Sequence, residues 1–296
     1  MMIDPLSVFL LLLSAATPIL FAALGELVVE RAGVLNLGVE GMMITGALAG
    51  FAAAYASGNP FLGFLVAALA GATISPLFAA LTQVFLANQV ASGLALTLFG
   101  LGLAAMFGKP FEGVKAPPMP GGPLGVNWIV WLGILMVPAI WLFLNRARPG
   151  LILRAVGENH DAAHALGYNV RLTRLAAIAF GGAMAGVGGA FISIATVLQW
   201  TEGMTAGAGW IALAIVVFSN WTAPGVLAGA WLFGGVTVLQ LRLQAAGVAV
   251  PVQLLSMAPY LATIVVLVAI SARQKFSRRA GTGAPGSLGT NFHALR

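Results

Sequence analysis

The run PLSVFLLLLSAATPILFAALGELV, Pro5 to Val28, decides the fold. As a helix it extends about 36 Å, more than the roughly 30 Å of a bilayer's hydrocarbon core. It carries a single charge, Glu26, near its end. No basic stretch precedes it and it is longer than a signal-peptide core, so it reads as a retained first span. Working outward, runs of the same kind recur between polar or Pro/Gly punctuation. There are about nine, at 5–28, 36–56, 60–86, 91–107, 127–145, 174–199, 206–220, 223–243 and 251–272. The expectation is an all-α, polytopic transmembrane helix bundle of eight to ten spans, forming one domain over residues 1–272. The seventh run is short enough to be a broken or re-entrant helix, which a bilayer tolerates only where protein or a water-filled cavity covers its backbone.

Composition agrees. Charged residues make up 7% of the chain and hydrophobic ones 60%, against about 25% charged in a soluble domain. A water-facing surface therefore has no supply of charge, and lipid must cover the outside. The net charge of +6 does not point to nucleic acid, because the basic residues punctuate apolar runs instead of forming a stripe. Placing the tail inside and alternating sides puts eleven Lys and Arg in the cytoplasm, Arg31, Arg146, Arg148, Arg154, Arg171 and Arg174 among them. Lys109, Lys115 and Arg242 stay outside. That asymmetry sets a cytoplasmic C-terminus. The chain has no cysteine, which excludes disulfides and thiolate metal sites.

Two loops stand out. Gly108 to Asn127 is rich in proline and reads as an external surface loop able to touch a partner. The cytoplasmic segment 146–174 spaces Ala155, Val156, Ala162, Ala163, Ala165 and Leu166 nearly helically among charged residues, which predicts one short amphipathic helix. The Gly/Ser/Arg-rich tail, residues 273–296, is expected to be a disordered cytoplasmic extension.

Catalytic chemistry is sparse. His160 and His164 sit at i, i+4, but no carboxylate pair completes a metal site. No G-x-x-x-x-G-K-[ST] motif is present, so the chain is not expected to bind ATP through a P-loop, and any ATP dependence must come from a partner subunit. It is expected neither to be an enzyme nor to need a cofactor of its own. Ionisable groups at membrane depth are functional candidates because burying them is expensive. Asn36 and Glu40, four residues apart at the start of the second span, read either as the wall of a polar path or as inward structural groups. Gln89 and Ser92 are further candidates for lining a translocation pathway, and Glu26 reads as interfacial.

Three stretches carry a resemblance: ERAGVLNLGVEGMM at Glu30 to Met43, LRAVGENHDAAHALGYNV at Leu153 to Val170 with the small-residue span Gly181 to Ala190 after it, and Ala212 to Gly235. Together they resemble the permease family of ABC importers that includes those for branched-chain amino acids, ribose and nucleosides, across roughly residues 20–270. The resemblance implies a bacterial inner-membrane subunit forming the pathway for a small polar solute. The wording of the first stretch is most similar to the nucleoside or purine branch, with simple sugars second. It further implies that Gly157, Glu158, Asn159, Asp161, Ala162, Ala163, Leu166 and Gly167 couple to a cytoplasmic ABC ATPase. Its other implied partners are a second, different permease subunit and an extracytoplasmic solute-binding protein. The alternative from the residues themselves is an ion-coupled secondary transporter, which would share the spans and broken helices.

Overall fold

The computed structural model describes residues 5–247 and 283–293, with five isolated helical positions between them, Met257, Leu261, Ile264, Val265 and Val268. In chain order the helices are α1 (Pro5–Arg31), α2 (Val39–Ser57), α3 (Pro60–Ala79), α4 (Gln89–Gly108), α5 (Trp128–Arg146), α6 (Arg148–Glu158), α7 (His160–Ala165), α8 (Val170–Ala190), α9 (Ala208–Phe218) and α10 (Ala223–Ala245). Helices α3 and α8 each run on into a widened π-helical turn, Ala80–Val84 and Phe191–Thr196. Seven helices are long and apolar enough to cross a membrane; α9 is apolar but short. The count of about nine is thus not confirmed: seven full-length helices and one short one lie among the described residues. The ninth expected run, 251–272, lies outside them apart from the five isolated positions.

Helix α8 is the axis of the bundle, packed against α1, α2 and α3. Lipid tails are as apolar as the helices, so dispersion at close range must hold the bundle together, and small residues permit it. A Cβ on Gly46 would sit 2.3 Å from the Gly186 Cα, and one on Gly71 would sit 2.0 Å from the Gly182 carbonyl oxygen. The outside is correspondingly greasy: Leu65, Leu69, Leu98 and Leu135 all lie more than half exposed. In water such a surface would aggregate; facing lipid it costs nothing.

Two segments break the regular pattern. After α1 the chain dips back into the bundle, so that the Asn36 N–H donates to the Glu26 carboxylate at 3.2 Å. Helix α2 then starts well inside, with Gly41 seated on Leu96, Thr97 and Gly100, near the midpoint of α4. The segment between α8 and α9 does the reverse. It begins at Trp200, whose indole covers Gly108 at the far end of α4, and descends to Thr205–Gly209 beside Glu40. From there α9, eleven residues long, rises about 16 Å, half a hydrocarbon core.

Two expectations need correction. The second span begins at Val39, so Asn36 and Glu40 are not one turn apart on a helix: Asn36 lies in the re-entrant loop, held by its own turn from Gly38 N–H to its side chain. The segment 146–174 holds two helices rather than one, broken where Asn159 turns extended (φ −153°, ψ 98°) and caps α7 through its side chain. The cap supplies an acceptor for a first-turn N–H that the helix itself leaves unpaired.

Of the tail expected to be disordered, residues 283–293 pack on one end of the bundle; 273–282 and 294–296 lie outside the described residues. Composition foretold flexibility because it counts glycines and serines, whereas the segment's own turns and donors find fixed acceptors.

Candidate functional site

The structure offers two sites at different depths. In the middle of the bundle, Glu40 is buried and its carboxylate is fully used. One oxygen accepts from the Thr205 hydroxyl at 2.5 Å and the Gly207 N–H at 2.9 Å; the other accepts from the Gly209 N–H at 2.7 Å. These donors surround the start of α9, so Glu40 supplies the negative charge that a helix N-terminus favours and meets donors that no α9 residue serves. Gly209 is obligatory here, because a Cβ would lie 2.7 Å from the Glu40 Cα. A carboxylate can sit here because both of its oxygens meet donors.

Of the four candidate pathway residues, Asn36 and Glu40 belong to this junction. Gln89 does not: its amide accepts from Leu35 N–H at 2.8 Å and donates toward Thr290 and Asn291 at the end of the bundle that carries the C-terminal segment. Ser92 is buried one turn further along α4. Three surface cavities, of about 330, 400 and 100 Å³, are lined by none of the four. Glu26, expected at the interface, is instead fully buried.

The second site gathers the loops at the tail-bearing end. Helix α7 presents Asn159, Asp161, Ala162, Leu166 and Gly167 to solvent, while Ala163 is buried against Val156, Val170 and Phe292. Leu166, 76% exposed on a polar rim, is the most prominent apolar side chain of this face. Glu158 is exposed and lies 3.8 Å from the Arg31 guanidinium. Gly157 faces inward, against the expectation that it meets a partner: a Cβ there would be 2.0 Å from the Arg31 carbonyl oxygen.

Sequence reasoning missed the groups that hold this end together. Arg174, counted only as a topology signal, is fully buried. Its guanidinium donates to the Ala32 carbonyl (3.2 Å) and the Thr290 carbonyl (3.0 Å) and contacts His160 Nδ1 (3.1 Å). Burial, and next the Arg174 charge, hold the His160 ring below its ordinary pKa, so at neutral pH it is the uncharged acceptor that this geometry requires. Glu30 is buried too and receives the Trp221 indole N–H, while Arg31 donates to the Trp221 carbonyl at 3.0 and 2.7 Å. Trp221 reaches both from a turn in which it and Asn220 hold positive φ (55° and 52°), a conformation maintained only where surroundings over-determine it.

At the opposite end the proline-rich loop pairs with the start of the descending segment, through bridges Glu112 with Trp200 and Lys115 with Gln199. Phe111, Val114, Ala116 and Met204 pack against the cluster that Trp200 forms with Ile44, Leu48 and Phe51. The proline-rich loop and the stretch before Glu202 thus form one surface.

Comparison with known proteins fits this architecture. A putative glucose ABC transporter permease of Haloferax volcanii is 41% identical, the match covering 86% of this chain and 88% of that protein. A nucleoside ABC transporter permease of Lactococcus lactis subsp. cremoris and a guanosine ABC transporter permease of Bacillus subtilis are each 32% identical, covering 85% of this chain and 88% of theirs. The family described as branched-chain amino acid transport system, permease component, matches residues 8–270. With its glycine-packed apolar helices, this chain belongs to that family of ABC transporter permease components.

Proposed function

We propose that the chain is the permease subunit of an ABC importer for nucleosides, purines or simple sugars, forming the pathway together with a second, different permease. ATP is bound and hydrolysed by separate cytoplasmic ATPase subunits. A solute-binding protein delivers its cargo to the surface made by the proline-rich loop and Trp200. The C-terminus lies in the cytoplasm of a bacterial cell whose inner membrane the chain crosses several times.

The observation that carries the coupling role is α7: a short helix anchored from below by Ala163 and offering Leu166, Asp161 and Asn159 outward. An exposed apolar knob within a polar rim is the usual anatomy of a docking contact. Asn159, Glu158, Ala162 and Gly167 surround it, and Gly157 ties its base to the end of α1. Nucleotide-driven movement of the ATPase would then reach α1 and α8 directly.

The pathway reading rests on the junction of α2 and α9. Helices broken at the bilayer midplane are where transporters place their moving parts, and Glu40 holds this break together without any cationic partner among its hydrogen bonds. In this scheme Asn36 and Glu40 hold the mid-depth wall, while Ser92 lies between that level and Gln89 at the cytoplasmic end. The relatives named for glucose, nucleoside and guanosine support the solute class.

The test is uptake of labelled purine nucleosides and sugars by cells carrying this permease with its ATPase. Accumulation that stops when the ATPase loses its catalytic glutamate supports the importer, and the accumulated label names the solute class. Uptake that persists and follows an ion gradient identifies a secondary transporter and removes the coupling role of α7.

A further inference from the structure

The C-terminal segment is tied to several separate loops at its end of the bundle. Gly283 N–H donates to the Asn220 side chain at 2.8 Å, in the turn between α9 and α10. Ser287 N–H donates to the Gly157 carbonyl at 2.8 Å, and its hydroxyl accepts from the His160 N–H at 3.2 Å. Gly289 N–H reaches the Gly33 carbonyl after α1 at 3.3 Å. The Thr290 carbonyl takes Arg174 and Gln89, and the Asn291 amide donates to the Leu86 carbonyl at 2.6 Å. Phe292, 4% exposed, closes the set, its ring edge-on to His160 and His164 with centroids 5.5 and 5.1 Å away.

Those partners lie in the four connections at this end of the bundle, after α1, α3, α5 and α9, and at the start of α8. Without the segment the short α7 would rest on Ala163 and its own cap, since six residues are too few to hold a helix in water. The buried Arg174 would lose an acceptor, and so would Gln89. Orphaned buried donors are costly, which makes the docked arrangement self-enforcing.

We propose that Gly283–His293 is a strap that makes the coupling surface composite: it fixes α7 to the ends of α1, α3, α8 and α9, so that they move as one body when a partner pushes on α7. Phe292, Ser287 and Asn291 are its positioning residues. Phe292 also forms one wall of the 400 Å³ cavity at the end of α7, together with His164, Gly167, Tyr168 and Arg171, so the ATPase-facing surface includes a residue from the far end of the chain. The partner's identity rests on the importer reading; the strap does not.

Two measurements separate them. In the purified full-length permease with no ATPase present, amide hydrogen exchange across Ala162–Tyr168 is compared with that of a chain ending at Thr282 and of the Phe292→Ala and Asn291→Ala variants. At least tenfold faster exchange is expected in all three, reversed in the truncated chain by a synthetic peptide of residues 283–296. Unchanged exchange in the two point variants overturns the strap, whatever the truncated chain does. With the ATPase added, Phe292→Ala is expected to lower solute moved per ATP hydrolysed severalfold while some ATPase binding survives; an unaltered ratio overturns the transmission role. Loss of all ATP-dependence in the unmodified protein would instead fault the importer reading and leave the exchange result standing.

Discussion

The junction at Glu40 and the cradle around Arg174 both bury a charged side chain without an oppositely charged partner in hydrogen-bond contact, and they solve the problem differently. Glu40 collects two backbone N–H groups and one hydroxyl from a single five-residue stretch, Thr205 to Gly209. Arg174 collects carbonyls from Ala32 and Thr290, the Gln83 side-chain oxygen at 3.5 Å and a ring nitrogen from His160, four places far apart in the chain. The first arrangement is a local cap that fixes where one broken helix starts. The second is a hub through which several loops become one surface. Charge satisfied locally should fail locally but severely; charge satisfied by many segments should loosen them together and by degrees.

Glu40→Ala is the strongest way to break that contrast. It leaves the Gly207 and Gly209 N–H groups and the Thr205 hydroxyl unpaired at mid-depth, at about 1–3 kcal/mol for each buried donor. A loss of about 3 kcal/mol or more in the thermal or denaturant stability of the purified permease is expected, with uptake abolished. Glu40→Gln keeps one acceptor and should cost less than half as much; equal stability in all three proteins would show that the carboxylate caps nothing.

Arg174→Ala comes next, at about 2–3 kcal/mol for lost charged hydrogen bonds in a buried setting. Here the informative reading is spatial: proteolytic or exchange protection should fall together at 32–36, 157–168 and 287–292 while Thr205–Gly209 is unaffected. Arg174→Lys preserves the charge but not the planar fork, and should recover only part of that protection. Protection lost at one segment alone would demote the residue from hub to single contact.

Gly157→Ala sharpens the comparison from the packing side. The added methyl meets the Arg31 carbonyl oxygen at 2.0 Å, and overpacking of this kind costs about 1–3 kcal/mol. The expected result is normal membrane insertion with α7 displaced, read as weaker ATPase co-purification. Unchanged co-purification would mean that α6 tolerates the shift and that the base of α7 is not rigidly set.

The smallest effect expected is that of pH. His160 titrates below its ordinary value in the docked state because of burial, then the charge of Arg174 from α8 and that of His293 from the strap; Asp161 beside it pulls the other way. The docked state therefore binds the proton more weakly than the undocked chain. Its advantage is complete above the ordinary histidine pKa of about 6.5 and is lost as pH falls through that value toward the docked one. The protection factors at 157–168, with the intrinsic pH dependence of amide exchange divided out, should fall a few-fold between pH 8 and 5.5, and His160→Gln should flatten the response. The Glu40 junction has no histidine among its hydrogen-bond partners and should not follow.

The two regions also differ in how far they could be read in advance. Glu40 drew attention because an acid at the start of an apolar run is conspicuous, and both readings offered for it turned on burial. The small-residue stretch Thr205-Ala-Gly-Ala-Gly209, however, carried no sign that its amides would turn toward that acid. Arg174 was legible only as one of many basic residues at the end of a span. Its role needed Thr290, 116 residues further on, in a tail whose glycines and serines argued for freedom. Gly157 and Ala163 stood in a recognisable motif, yet the motif could not say that both point inward while Leu166 points out.

What the sequence alone determined is what each residue's own chemistry decides: that runs of apolar side chains must leave water, that they are helical because a bilayer allows no unpaired backbone, and roughly where each begins. What only the tertiary structure decided is where helices stop short and which donors meet the buried charges. A hydrogen bond between Glu40 and Gly209 spans 169 residues, and no local periodicity encodes a partner at that distance. It exists because glycine contacts bring α2, α4 and α8 close enough to lay one loop against another, and because the alternative, an unsatisfied charge in a low-dielectric interior, is too costly to persist.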